Sequence, residues 1–158
     1  MLGLIQRVST AAVHVAGEQV AHIGPGILAL IAVERDDTEK ESQRLLERLV
    51  SFRVFPDAEG RMNLSLSDTG GGLLLVPQFT LAADTRKGTR ASFGPAAPPE
   101  DGERLFSHLV MAARDKDLPV AAGVFGAHME VSLVNDGPVT FLLAARPSPP
   151  RPRSRGSR

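Results

Sequence analysis

A chain of 158 residues, 42% hydrophobic and 23% charged, is of single-domain size and long enough to bury a core. It has no cysteine, which excludes disulfides, thiolate nucleophiles and cysteine-held metal, and no apolar run approaches the ~20 residues of a membrane-spanning helix. The net charge of zero is unevenly spread: five arginines and no acid lie in residues 146–158, so residues 1–145 carry 13 basic and 18 acidic groups, a net of −5.

A body of that sign does not follow a long phosphate backbone, because such binding rests on neutralising many phosphates. Any nucleic acid it handles is gripped over a small part. Met1 to Arg7 lacks the basic start and apolar centre of a secretory leader, so a cytoplasmic protein with no membrane association is expected.

Residues 4–15 predict a strand, and Gly17-Glu18 a hairpin turn into Val20–Ile23. After Gly24-Pro25-Gly26, the short apolar run Ile27–Val33 predicts a fully buried strand. Thr38 and Glu41 form a capping-box signature that opens a helix to about Phe52, with Leu45, Leu46, Leu49 and Val50 on one face. Met62–Leu66 alternates as a half-buried strand does, and Gly70-Gly71-Gly72 precedes another buried strand, Leu73–Val76.

A loop over 82–98 leads to a second helix from Pro99 to about Lys116. Val120–Phe125, His128–Val134 and Val139–Ala144 predict closing strands, the last two joined by a tight turn at Asn135-Asp136-Gly137-Pro138. The fold class is therefore α+β: one strand-rich, β-barrel-like domain over 1–146 with two helices. Residues 147–158, rich in Pro, Arg and Ser, predict a disordered tail.

The histidines (His14, His22, His108 and His128) show no metal-ligand spacing, and neither metal nor cofactor is expected. Gln78-Phe79-Thr80 follows a buried strand directly. It either finishes that strand or aims backbone N–H groups at a reacting carbonyl. Asp84–Phe93 places three cations, hydroxyls, glycine and one aromatic on a loop, which reads as a solvated basic loop or as contacts to a nucleic-acid end. For Gly137-Pro138, composition alone favours a trans bond, since only ~5–6% of X–Pro bonds are cis in folded proteins.

In order along the chain, Leu4-Ile5-Gln6-Arg7-Val8, Ile23–Gly26 and Met62–Leu66 resemble segments of the D-aminoacyl-tRNA deacylase family. So do Gln78–Leu81, Ala83–Gly88, Ser92-Phe93, Ala97–Glu100, Phe125–Met129 and Val134–Thr140. The resemblance covers residues 1 to about 145. It implies hydrolysis of the ester joining a D-amino acid to the 3′-terminal adenosine of tRNA, as chiral proofreading. Achiral glycine, mischarged on tRNA-Ala, is a further substrate.

It also implies a homodimer with a cross-subunit active site. Gln78, Phe79 and Thr80 form the catalytic floor, with Thr80 positioning rather than attacking. Pro77, Gly137, Pro138, Val139, Arg7 and Met129 serve substrate binding and chiral selection, through a cis Gly-Pro turn contributed by the partner. Arg86, Lys87 and Gly88 meet the tRNA end.

One residue departs from the pattern. The family usually has Ser before Gln-Phe-Thr, and this chain has Pro77. A related branch carries Pro there, with a trans turn and relaxed chirality that admits L-alanyl esters, but replaces the Phe that this chain keeps as Phe79. Two alternatives stay open: that relaxed deacylase, and a non-catalytic dimer that binds the tRNA end.

Overall fold

The computed structural model describes residues 1–147, so the tail expected at 147–158 lies, apart from Pro147, outside the described residues. Strand β1 (Leu2–Val15) is the spine. Its first half pairs antiparallel with β3 (Gly26–Ala32), and its second half pairs with β2 (Glu18–Ile23) across a turn at Ala16-Gly17, both at positive φ. The expected turn was one residue later.

β3 then pairs in parallel with β6 (Gly72–Pro77), and β6 with β7 (Val120–Ala122). Gly26 faces Gly72 in that register, and a Cβ on Gly26 would lie 2.0 Å from the Gly72 carbonyl oxygen. Only glycine at 26 lets these two strand starts approach so closely, and a Cβ on Gly72 would meet the Ile23 side chain at 2.9 Å. The small β4 (Phe55–Pro56) and β5 (Met62–Leu64) form a separate two-stranded ribbon.

The strand-rich α+β body is as expected, a nearly closed, barrel-like mixed sheet. Its inner face packs Val8, Ala11, Val13, Ile23, Leu28, Leu74 and Val76 together. Its outer face carries α1 (Glu39–Ser51) and α3 (Pro99–Arg114), which bury Leu45, Leu46, Leu49, Leu105, Phe106 and Leu109 against Ile5, Ile27 and Leu73. The capping box forms: Thr38 N–H donates to a Glu41 carboxylate oxygen at 2.8 Å. His108 Nδ1 meets Ser42 Oγ at 2.9 Å, joining α3 to α1.

Three further expectations are corrected. The strand predicted over Met62–Leu66 stops at Leu64, because Ser65 and Asp68 cap a short helix, α2 (Leu66–Thr69). That makes three helices rather than two, and α3 ends two residues before Lys116.

The third correction concerns the C-terminal strands. Residues 130–144 form one strand, β8 (Glu130–Ala144), that pairs with β1 along its length, so 135–138 does not reverse the chain. Gln6 faces Thr140 and Val8 faces Asn135, which leaves Asp136 to Val139 looped out opposite the single residue Arg7. The turn-type residues mark a wide bulge, not a hairpin. The Gly137–Pro138 bond in it is cis, as the family resemblance implies and against composition alone. No helix among the described residues is long and apolar enough to cross a membrane.

Candidate active site

β6 is buried from Gly72 to Val76 and delivers Pro77 and Gln78 to the sheet's edge. Beside its end lies a cleft of about 460 Å³ whose walls include Val76, Pro77, Gln78, Phe79, Phe125 and Met129. The cleft thus unites four of the residues expected from sequence. The sequence reading assigned no role to Phe106, Phe125, His128 or Val131, which also line it. For Phe125 and His128 the signal is the Phe125–Met129 segment, which the sequence offers only as part of the resemblance, whereas Phe106 and Val131 lie on α3 and β8 outside it.

Pro77 fits the strand for a specific reason. Even-numbered amides of β6 face β3: Gly72 donates to the Pro25 carbonyl and Gln78 to the Ile31 carbonyl at 2.6 Å. Odd-numbered amides face β7, as Leu73 does in donating to the Pro119 carbonyl. Leu75 follows, opposite Ala122 at the end of β7, and the next such position, 77, lies beyond the last β6–β7 pair. A proline there forfeits no ladder bond.

The chain then turns through one 3₁₀ segment, Phe79–Ala82. The first amides of a helical turn have no intrahelical partner, which leaves the N–H groups of Phe79, on the cleft wall, and of Thr80, next to it, as donors. The Gln78 amide is committed to Ile31 and cannot be one. Gln78 Nε2 donates to Thr80 Oγ1 at 2.6 Å. That bond fixes the hydroxyl without a base to activate it. Among the described residues, no group of three His, Cys, Asp or Glu could hold a metal.

The bulge of β8 is a second, separate centre. Arg7 Nε donates to the Asp136 carbonyl at 2.9 Å, and its Nη1 to the Val54 carbonyl at 2.7 Å. Val139 N–H donates to Asn135 Oδ1, and Asn135 Nδ2 to Thr140 Oγ1, which close the neck of the bulge. The Val139 side chain is turned into the main core with Ile5 and Leu143, so only its backbone faces outward. Gly137 has φ 144°, and a Cβ there would sit 2.6 Å from Val139 Cγ2.

Arg7 pairs with Ile27 and Pro77 with Ile31, which places the two centres about 13 Å apart along β3 at ~3.3 Å per residue. Within one chain the bulge lies outside the cleft wall. The structure brings Pro77, Gln78, Phe79 and Met129 together, and Arg7, Gly137 and Pro138 together, without joining the two groups.

The loop after the 3₁₀ turn is closed by paired backbone bonds between Asp84 and Ser92 at 2.7 and 3.0 Å. Arg86 folds back onto Asp84 in a two-pronged pair at 2.9 and 2.7 Å. Those hydrogen bonds hold the Asp84 carboxyl down at about 2. Among the described residues, the loop cations Lys87 and Arg90 have no ion-pair partner. Gly88, at φ 67°, turns the exposed tip.

Comparison with known proteins matches residues 4–144 to the family model described as D-Tyr-tRNA(Tyr) deacylase. A D-aminoacyl-tRNA deacylase of Thioalkalivibrio sulfidiphilus is 69% identical over 147 residues, covering 93% of this chain and 99% of the relative. One from Azotobacter vinelandii is 62% identical over 145 residues, covering 92% and 100%.

Among solved structures, the c-Myc DNA Unwinding Element Binding Protein superposes with a TM-score of 0.88 at 35% identity, covering 93% of this chain and 100% of the other. A probable eukaryotic D-amino acid tRNA deacylase superposes with a TM-score of 0.74 at 18% identity, covering 90% and 97%. The second likeness concerns the fold alone.

Proposed function

The chain belongs to the D-Tyr-tRNA(Tyr) deacylase family, and from that premise we propose that the cleft at the end of β6 is where its ester hydrolysis takes place. The activity is that of the family: release of a D-amino acid from aminoacyl-tRNA, a proofreading step in translation.

The observation that carries the site assignment is the make-up of the cleft floor. Phe79 and Thr80 present unpartnered amides, and the Thr80 hydroxyl is already bonded to the Gln78 side chain, with no base paired to it. Such a floor stabilises a developing oxyanion and positions the ester. It does not supply a protein nucleophile. The attacking water is then activated by the substrate itself, through the 2′-hydroxyl of the terminal adenosine.

Selection falls to the bulge. Gly137 and Pro138 of a second copy enter the cleft, accept the substrate's α-ammonium on backbone carbonyls and occupy the space that an L-side chain needs. Two features support a cross-subunit site. The bulge and cleft lie about 13 Å apart on one chain. The outward face of β8 also exposes Leu142 (62%) and Val134 (54%), an apolar surface suited to a second copy. Arg7 holds the bulge, Met129 and Pro77 shape the wall, and the Arg86-Lys87-Gly88 tip meets the tRNA end. Glycine on tRNA-Ala, having no side chain, passes the same filter. Work on charged tRNA belongs in the cytoplasm.

The test is hydrolysis of D-tyrosyl-tRNA against L-tyrosyl-tRNA. Release of D-tyrosine with the L-ester spared is expected. Rapid L-alanyl release would point to the relaxed variant that Pro77 raises. No turnover of any ester would leave the tRNA-end-binding dimer, a reading in keeping with the nucleic-acid name of one 35% identical neighbour.

A further inference from the structure

Two large aromatic side chains stand at the mouth of the cleft without being buried. Phe79 is 57% exposed and Phe93 is 44% exposed, their centroids 5.1 Å apart and their planes inclined by 54°. Burial of Phe side chains is a main source of core stability, so two adjacent exposed rings in a small domain call for a ligand.

The support beneath them is firm. Phe93 sits one residue past the Asp84–Ser92 bridge, and its carbonyl accepts from the Ala96 amide at 3.1 Å. The Arg35 amide holds the Pro95 carbonyl at 2.9 Å, and its guanidinium holds that of Gly94. The same loop carries Lys87 and Arg90, on a body that is otherwise net negative. Exposed aromatic faces beside unpaired cations are what a single-stranded nucleic acid requires, since any base stacks and the cations track its phosphates.

We propose that Phe93, against Phe79, is the stacking platform for the penultimate nucleotide of the tRNA. This rests on the reading of the cleft as the deacylase site. The terminal adenosine carries the amino acid on its ribose and has one covalent neighbour, on its 5′ side. A surface that adjoins the cleft and lies outside it therefore meets that nucleotide first. Stacking is indifferent to base identity, so the platform holds the tRNA end in line without reading sequence.

The experiment compares the D-tyrosyl ester of adenosine with the D-tyrosyl ester of a trinucleotide ending in adenosine. The wild-type protein should prefer the trinucleotide in kcat/KM by roughly five- to a hundredfold, the range of one base stacked on an aromatic ring. Phe93→Ala should abolish most of that preference, through KM, and Phe93→Tyr should keep it. An abasic penultimate residue should abolish it in the wild type, which tests the idea without altering the protein.

Survival of the preference in Phe93→Ala overturns the proposal. So does its loss only in Lys87→Ala or Arg90→Ala, which would assign the gain to phosphate contacts. A Phe93→Ala variant that changes oligomeric state would give the ring to a subunit contact instead. Hydrolysis of the adenosine ester by the wild type keeps the deacylase reading separate from this one.

Discussion

Arg7 decides whether the bulge of β8 is actively held. Its side chain is 14% exposed, and its guanidinium donates to two carbonyls, Asp136 at 2.9 Å and Val54 at 2.7 Å, with an Asp136 carboxylate oxygen 3.5 Å away. A hydrogen bond from a charged donor contributes ~1.5–3 kcal/mol, and a partly exposed ion pair adds little. The bond to Asp136 is at the surface and counts at the low end, whereas Val54 is 1% exposed.

Arg7→Ala should therefore cost about 3 kcal/mol, which at 2–4 °C per kcal/mol for a domain of this size lowers Tm by roughly 6–12 °C. Arg7→Lys should recover only part, because one ammonium does not span two carbonyls as a guanidinium fork does. If the bulge is the chiral filter, loosening it raises hydrolysis of L-tyrosyl-tRNA relative to the D-ester by about tenfold, the equivalent of 1.4 kcal/mol. Thermal melts and paired D- and L-ester assays measure both. An Arg7→Ala protein that melts with the wild type and keeps its discrimination would refute the idea that Arg7 positions the filter.

The remaining predictions concern separate parts of the molecule. Gly137→Ala would force a Cβ to 2.6 Å from Val139 Cγ2 at a φ of 144°, so D-ester hydrolysis should fall sharply while the circular-dichroism spectrum stays native. Leu142→Asp should shift the sedimentation profile to monomer and abolish turnover together, and an active monomer would end the cross-subunit scheme. For the Asp84–Arg86 pair, the folded pKa lies below the ordinary carboxylate value of 3.8. Its hold on the loop is complete above that value and is lost as pH falls through about 2, which a carboxylate NMR titration would follow. Asp84→Asn should free Arg86 for phosphate and steepen the salt dependence of tRNA binding by about one counterion.

Where local chemistry decides, the sequence was a good guide. The capping box at Thr38 and Glu41, the inward leucines of α1 and the buried run of β6 are all consequences of spacing. Ser65 with Asp68 follows the same rule, yet the strand-like alternation of Met62–Leu66 concealed it.

The larger miss was at 135–138. Asn-Asp-Gly-Pro has the composition of a hairpin turn, and nothing local distinguishes a reversal from a bulge. The distinction comes from β1, long enough to pair with β8 on both sides of it. The site was legible as motifs but not as a place. Pro77 looked anomalous until the end of β7 at Ala122 showed why the strand tolerates it. Arg86 looked like a free cation until Asp84 was found beneath it.

Because β8 is gripped by the same partner strand before and after the bulge, the position of Gly137 and Pro138 is set by strand register and not by loop length. A loop built this way is insulated. If the bulge is the chiral filter, side chains around the cleft can drift, and broaden or narrow the range of accepted amino acids, without moving it. The corresponding weakness is discrete: a one-residue insertion or deletion in β1 or β8 would displace the whole loop at once, with no intermediate setting.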